Sequence, residues 1–194
     1  MKRLLITGFE PFGGEAINPS WEVVKSLPCV IGDYELTKLL LPVVFGLAAE
    51  KALEASEEIC PDVIVCIGQA GGRGEVTPEL VGINLRHASI TDNAGNKPQD
   101  EPIIEGGQAA YFSTIPVRKI SEAISAEGVP SKVSYSAGAY VCNDLLYTLL
   151  NRYDGTSTRV GFIHIPYATE QEKTPSMSLS DMKKAIIKAV EAID

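Results

Sequence analysis

Val63-Ile64-Val65-Cys66-Ile67 is an uninterrupted apolar run of strand length, and it limits the fold more than any other stretch of the chain. A strand that is apolar on both faces has to be covered on both faces, which is the situation in a parallel sheet with helices packed above and below. The flanking sequence fits that picture. Leu4-Leu5-Ile6-Thr7 reads as a first strand, Pro19 to Leu27 as a helix, Leu36 to Leu41 as a second strand and Leu47 to Ile59 as a second helix. After the apolar run come a glycine-rich turn, a mixed segment from Val76 to Gln99, a helix from Val117 to Glu127 and a short strand from Lys132 to Ser134. A leucine-faced helix after Asn143, an apolar strand from Arg159 to Pro166 and a closing helix from Leu179 to Ile193 complete the pattern. The expectation is an α/β fold: a single-domain α/β/α sandwich around a largely parallel, twisted central sheet, its site built from loops at one edge. Strand order is not encoded in such a pattern.

A length of 194 residues suffices for one domain with a full core, and nothing in the chain reads as a linker. A net charge of −8, with scattered rather than clustered lysines and arginines, repels phosphate backbones, so nucleic acid is not an expected partner. Met1-Lys2-Arg3-Leu4-Leu5-Ile6 begins like an export signal, but Gly8, Glu10 and Pro11 interrupt it before the needed length. No membrane span is expected either. Four cysteines without a Cys-x-x-Cys spacing, and without an export signal, fit free thiols in a reducing, cytoplasmic setting. Neither histidine has a cysteine or a second histidine at ligand spacing, so no metal and no cofactor is expected.

The chemistry concentrates in Ser136-Ala137-Gly138-Ala139-Tyr140-Val141-Cys142-Asn143-Asp144. Leu145, Leu146, Leu149 and Leu150 repeat at helical spacing behind it, which puts Cys142 at the positive end of a helix. Unpaired N–H groups there favour a thiolate and can hold the oxyanion formed when it attacks a carbonyl. A nucleophilic cysteine wants an imidazole beside it, and the chain has only two. His87 lies in a polar stretch that reads as a solvated loop. His164 lies near the carboxyl end of an apolar strand, where catalytic groups of open α/β sheets gather, and is the better partner. The bland readings stand beside these, since a cysteine is often a small buried hydrophobe and a strand histidine a satisfied core residue. Cys66 fits that reading fully, and Cys29 and Cys60, each beside a proline at an element end, are expected to be structural. Two glycine-rich turns, Gly8 to Gly14 and Gly68 to Gly74, lack the spacing of a dinucleotide or phosphate loop, though Arg73 leaves phosphate binding open. Phe9 and Phe12 in the first turn are either core residues or the walls of an apolar slot for an uncharged ring.

Several long motifs in order resemble the pyroglutamyl peptidases, cysteine enzymes that remove an N-terminal pyroglutamyl residue from peptides. They are Gly8-Phe9-Glu10-Pro11-Phe12-Gly13-Gly14 with Asn18-Pro19-Ser20-Trp21, Gly68 to Arg73 with Val76-Thr77-Pro78-Glu79, Ser136 to Asn143, and Gly161 to Pro166. The resemblance spans nearly the whole chain and implies one catalytic domain over residues 1–194. It also implies a triad of Cys142, His164 and Glu79, with Glu79 as the acid that orients the imidazole. By the same resemblance Phe9 and Phe12 sandwich the lactam, the main chain near Gln69 bonds its N–H, and Ile90, Tyr140 and Val141 close the pocket. Peptides beginning with pyroglutamate are the implied partners, and a homotetramer the implied assembly. Two positions depart from the family pattern. Leu80 stands where arginine usually follows the catalytic glutamate, and Ser89 where an arginine commonly lies near the substrate carbonyl. Arg86 and Arg73 are the cations left to compensate. The alternative is a weakened or non-catalytic member that binds blocked N-termini.

Overall fold

Along the first strand, β1 (Lys2–Phe9), Leu4 and Ile6 turn to one face of the sheet and Leu5 and Phe9 to the other, and each set joins its own hydrophobic core. The structure, a computed structural model, describes residues Met1–Asp194. After β1 come α1 (Pro19–Ser26), β2 (Val30–Ile31), β3 (Tyr34–Leu41), α2 (Leu47–Ile59) and β4 (Val63–Gln69). The second half holds β5 (Thr77–Pro78), β6 (Val81–Ile83), β7 (Ala110–Phe112), α3 (Val117–Ala126) and α4 (Val141–Arg152). It ends with β8 (Arg159–Ile165), β9 (Tyr167–Ala168), β10 (Ser176–Met177) and α5 (Leu179–Glu191).

The main sheet has the strand order β2-β3-β1-β4-β8-β5. Strands β3, β1, β4 and β8 run parallel, and the short edges β2 and β5 are antiparallel to their neighbours. Helices α1, α3 and α5 cover the Leu4 face, while α2 and α4 cover the Leu5 face. The expected α/β/α layering is therefore present, and the apolar run at its centre is β4, with Val63 and Val65 in one core and Ile64 and Cys66 in the other. Helix α1 starts where Asn18 accepts the Ser20 N–H and Pro19 fills the first turn, and Ser178 caps α5 by accepting from Asp181 N–H. No helix is long and apolar enough to cross a membrane.

Three local expectations change. The stretch Lys132 to Ser134 is not a strand; Ser131 and Ser134 make single bridges to Val76 and Glu79. Its would-be partner β5 is two residues long and contains Pro78, which brings no N–H to a ladder. Helix α4 begins at Val141 rather than after Asn143, because the Tyr140 carbonyl already accepts from the Asn143 and Asp144 N–H groups. Cys29 and Cys60, expected to be structural, are both exposed. Cys60 caps α2 in the left-handed region, at φ 47°, and turns its thiol onto the Glu57 carbonyl at the surface.

Gly8 lets α1 lie against the sheet. A Cβ there would sit 2.9 Å from the Ser20 backbone and from Trp21 Cα. We expect Gly8→Ala to destabilise the fold by about 1–3 kcal/mol through overpacking, seen as a lower midpoint in urea titration. An unchanged midpoint would mean that α1 is free to shift.

Candidate active site

Gly68 on β4 pairs in register with His164 on β8, and both lie near the carboxyl ends of their strands. Register partners on parallel strands point their side chains to the same face, about 5 Å apart. At Gly68 that direction leads to the nucleophile candidate: a Cβ there would lie 3.0 Å from Cys142 Sγ and 2.6 Å from the Phe162 ring. The absence of a side chain at Gly68 thus lets the start of α4 settle onto the sheet with its sulfur over Gly68, on the face to which the His164 ring also turns. Phe162 packs on that ring with centroids 4.7 Å apart and keeps it from swinging away.

The ring's other side is held by Glu79. His164 Nδ1 lies 2.7 Å from Glu79 Oε1, and both groups are buried, Glu79 completely. The Glu79 backbone is fastened as well, its N–H donating to the Phe162 carbonyl and its own carbonyl accepting from Ser113 Oγ. Burial alone would raise the Glu79 carboxyl, but hydrogen bonds and charge from His164, with Ser134 and Arg73, outweigh it and hold the group below its ordinary value. It is an anion at neutral pH. Nδ1 is committed to it, which leaves Nε2 as the ring nitrogen available to the sulfur.

Cys142 sits in the first turn of α4, where the amides of Val141 and Cys142 have no helical carbonyl behind them. The helix is anchored by its buried polar residues. Asn143 accepts the Ile83 N–H and donates to the Ile83 and Leu85 carbonyls, and Tyr147 donates to the Gln108 carbonyl. Asp144 takes Arg86 Nε at 2.6 Å and the Gly46 N–H at 2.8 Å. The helix start was expected to keep the thiol ionised. Burial instead pushes Cys142 up to about 12, with the Glu79 charge and nearby Cys66 adding and Arg73 opposing. These influences favour the neutral thiol in the free protein, although the residue keeps some exposed surface.

In front of the sulfur is a small apolar hollow lined by Phe9, Phe12, Asn18, Val43, Gln69, Tyr140, Val141 and Cys142. Larger surface hollows lie elsewhere, such as a polar one among Phe45, Arg86 and Lys97, but they are open and none is lined by Cys142. Five of the six residues expected to form the substrate pocket are in this lining. The sixth, Ile90, is 51% exposed and outside it. Asn18 and Val43 were not anticipated. Asn18 carried a signal as the cap before Pro19, whereas Val43 enters only because β3 ends beside β1. Glu10, in the same loop as the two phenylalanines, is turned to the Val43 N–H and Asn93.

The remaining candidates fall away from the hollow or change role. His87 is exposed and pairs with Asp100. Cys66 is fully buried, and that burial pushes its thiol up to about 12, as an inert core group requires. Arg73 does not offer itself to phosphate: it lies 2.6 Å from Glu79 Oε1 and also donates to Thr77 and the Ser136 carbonyl. Arg86 is bound to Asp144, so it does not replace the arginine missing at Ser89, which is itself exposed. Leu80 packs against the larger core.

A family model described as pyroglutamyl peptidase matches residues 2–194. A pyrrolidone-carboxylate peptidase of Bacillus cereus (strain Q1) is 48% identical over 198 residues, covering 98% of this chain and 92% of the relative. The crystal structure of Bacillus amyloliquefaciens pyroglutamyl peptidase I superposes with a TM-score of 0.96 at 45% identity, over 100% of this chain and 97% of the other. Pyrrolidone carboxyl peptidase from Thermococcus litoralis superposes with a TM-score of 0.95 at 38% identity, over 100% and 93% of the two chains.

Because the resting Cys142 thiol is raised, its thiolate fraction at neutral pH is small and grows as pH climbs toward its folded value. Iodoacetamide labelling of Cys142 in the free protein, followed site by site by mass spectrometry, should keep accelerating up to about pH 10. A plateau reached by neutral pH would show that the sulfur is ionised at rest.

Proposed function

The chain belongs to the pyroglutamyl peptidase family, and from that premise we propose that Cys142, His164 and Glu79 are the triad with which it removes N-terminal pyroglutamyl residues from peptides. The observation that carries the assignment is the Gly68–His164 register, which sets the sulfur and the Glu79-bound imidazole on one face of adjacent strands. Residues 1–194 act as one catalytic domain in this reading, in keeping with the family match over residues 2–194.

The chemistry follows from the charge on Glu79 and the raised thiol of Cys142. With substrate bound, His164 Nε2 takes the Sγ proton as the sulfur attacks the pyroglutamyl carbonyl carbon. The carbonyl electron pair moves onto oxygen, where the free amides at the start of α4 receive it. Glu79 stabilises the imidazolium through Nδ1. When the intermediate collapses, the C–N bond breaks and the imidazolium protonates the departing nitrogen, which leaves as the new peptide N-terminus. Water then gives a proton to the imidazole and attacks the thioester, releasing pyroglutamate and returning the proton to sulfur. A thiol that ionises only during the encounter does not need to be activated beforehand.

Selectivity comes from what the hollow lacks and what it leaves unpaired. Phe9, Phe12, Tyr140 and Val141 offer apolar faces to a lactam ring, and Glu10, which stands between the two phenylalanines in sequence, is spent on Val43 and Asn93. An ammonium terminus entering here would lose its water without gaining a counter-charge. The main chain near Gln69 and the Gln69 side-chain oxygen, which is buried without a partner, are the acceptors for the lactam N–H. Ile90 contributes at most from the rim. Peptides that begin with pyroglutamate are the partners in this reading. A cytoplasmic setting goes with the four free cysteines, and a homotetramer with the resemblance.

Cys142→Ser should abolish hydrolysis of a pyroglutamyl chromogenic amide; a fully active variant would remove the nucleophile assignment. Ser89→Arg, which adds a cation near the carbonyl, should leave kcat unchanged or raise it, by up to about 10²-fold if one oxyanion donor is missing. Binding of a pyroglutamyl peptide by the wild type without turnover would favour the non-catalytic alternative.

A further inference from the structure

We propose that Arg73 is a positioning residue of this active site, fixing the Glu79 carboxylate toward His164 and joining it to the segment that leads into the nucleophile helix. The inference rests on the triad reading above. One guanidinium joins two pieces of chain, β5 with Glu79 and the stretch Ser134 to Ser136. Arg73 Nη1 lies 2.6 Å from Glu79 Oε1 and 2.7 Å from Thr77 Oγ1, and Nη2 donates to the Ser136 carbonyl at 3.2 Å. Ser136 in turn accepts the Gly138 N–H on its Oγ, just ahead of Tyr140 and α4. The glycine-rich turn after β4 makes this reach possible. Gly72 has φ +85°, and a Cβ at Gly71 would meet the Tyr167 hydroxyl at 2.2 Å, so the chain doubles back closely over β9. That turn serves a carboxylate within the protein rather than a phosphate from outside.

The arrangement on Glu79 is lopsided, and that defines the task of the arginine. Both His164 and Arg73 bind Oε1, while Oε2 is buried without a partner. Arg73 is therefore the only full positive charge on a completely buried carboxylate while the imidazole is neutral. With Arg73 present, the set of thiol, imidazole, carboxylate and guanidinium is neutral overall, and it stays neutral when the proton passes from sulfur to imidazole. Without it, both states carry a net negative charge in a low-dielectric site. The buried carboxylate then has no permanent counter-charge. The Arg73 charge also favours ionisation of Cys142, opposing the effect of burial.

The test is a double-mutant cycle of R73Q, E79Q and R73Q/E79Q on a pyroglutamyl chromogenic amide, with folding followed by circular dichroism. R73Q should lower kcat by roughly 10–100-fold, the range for groups that orient an active residue from behind, while KM stays within about twofold. In the E79Q background the same substitution should cost less than about threefold, because Arg73 then has nothing to act through. R73K should recover part of kcat, since it keeps the charge but not the two-armed reach. If R73Q does not fold, R73K carries the cycle under the same criterion. Wild-type kcat in the Arg73 variant, or losses that simply multiply in the double mutant, would overturn the inference. E79Q that is inactive beside a fully active R73Q would sink this inference alone, whereas fully active E79Q would sink the triad reading with it.

Discussion

A carboxylate with no exposed surface is the constraint around which this end of the molecule is built. Glu79 is charged and completely buried, so its position has to be over-determined. Its side chain meets His164 and Arg73, its N–H meets β8, and its carbonyl meets Ser113. Removing one partner from a buried ion pair typically costs about 3–5 kcal/mol, because the other charge is stranded. That penalty holds together the edge of the sheet, the turn after β4 and the approach to α4. His164 and Arg73 are held on Glu79 by the same force that keeps the edge closed.

Cys142, the proposed nucleophile, is placed by the opposite means, through an absence. Gly68 contributes no side chain, and the first turn of α4 occupies the space left over β4. Burial there makes the sulfur a poorer acid, while in the proposed reaction the free amides of α4 meet a negative charge that appears only as the carbonyl is attacked. Helix end and burial act at different stages. A resting thiol also limits stray alkylation and oxidation, which depend on thiolate character and access.

Much of this was legible in the sequence, for identifiable reasons. The four parallel strands announce themselves as apolar runs long enough to show a period, and the helices between them as amphipathic stretches. Strands of two or three residues, such as β2, β5 and β6, fall below any period and arise only from tertiary pairing. Cys142 and His164 stood out because a helix start is a local property and imidazoles are scarce. Glu79 was reached through family motifs alone, since its role comes from burial and no spacing distinguishes it from the other acids. Arg73 was read as a possible phosphate ligand because glycines flank it, while the partner that decides its role lies in a fold-back invisible to pattern. The raised thiol of Cys142 escapes sequence pattern for a related reason: the helix end is visible in sequence, and the walls around the sulfur are not.

Glu79 and His164 are 85 residues apart in the chain and meet where β5 closes onto β8. Contacts of such long sequence separation are entropically late, because loops must close before they can reward the chain. Strands β3, β1 and β4 pair over shorter separations than β8 does with either neighbour, so they can assemble before the border at β8 and β5 closes, and a chain halted at that point would have no working centre. Recovery of peptidase activity after dilution from denaturant is therefore a clock for closure of that last border, and it should lag behind recovery of the far-ultraviolet signal.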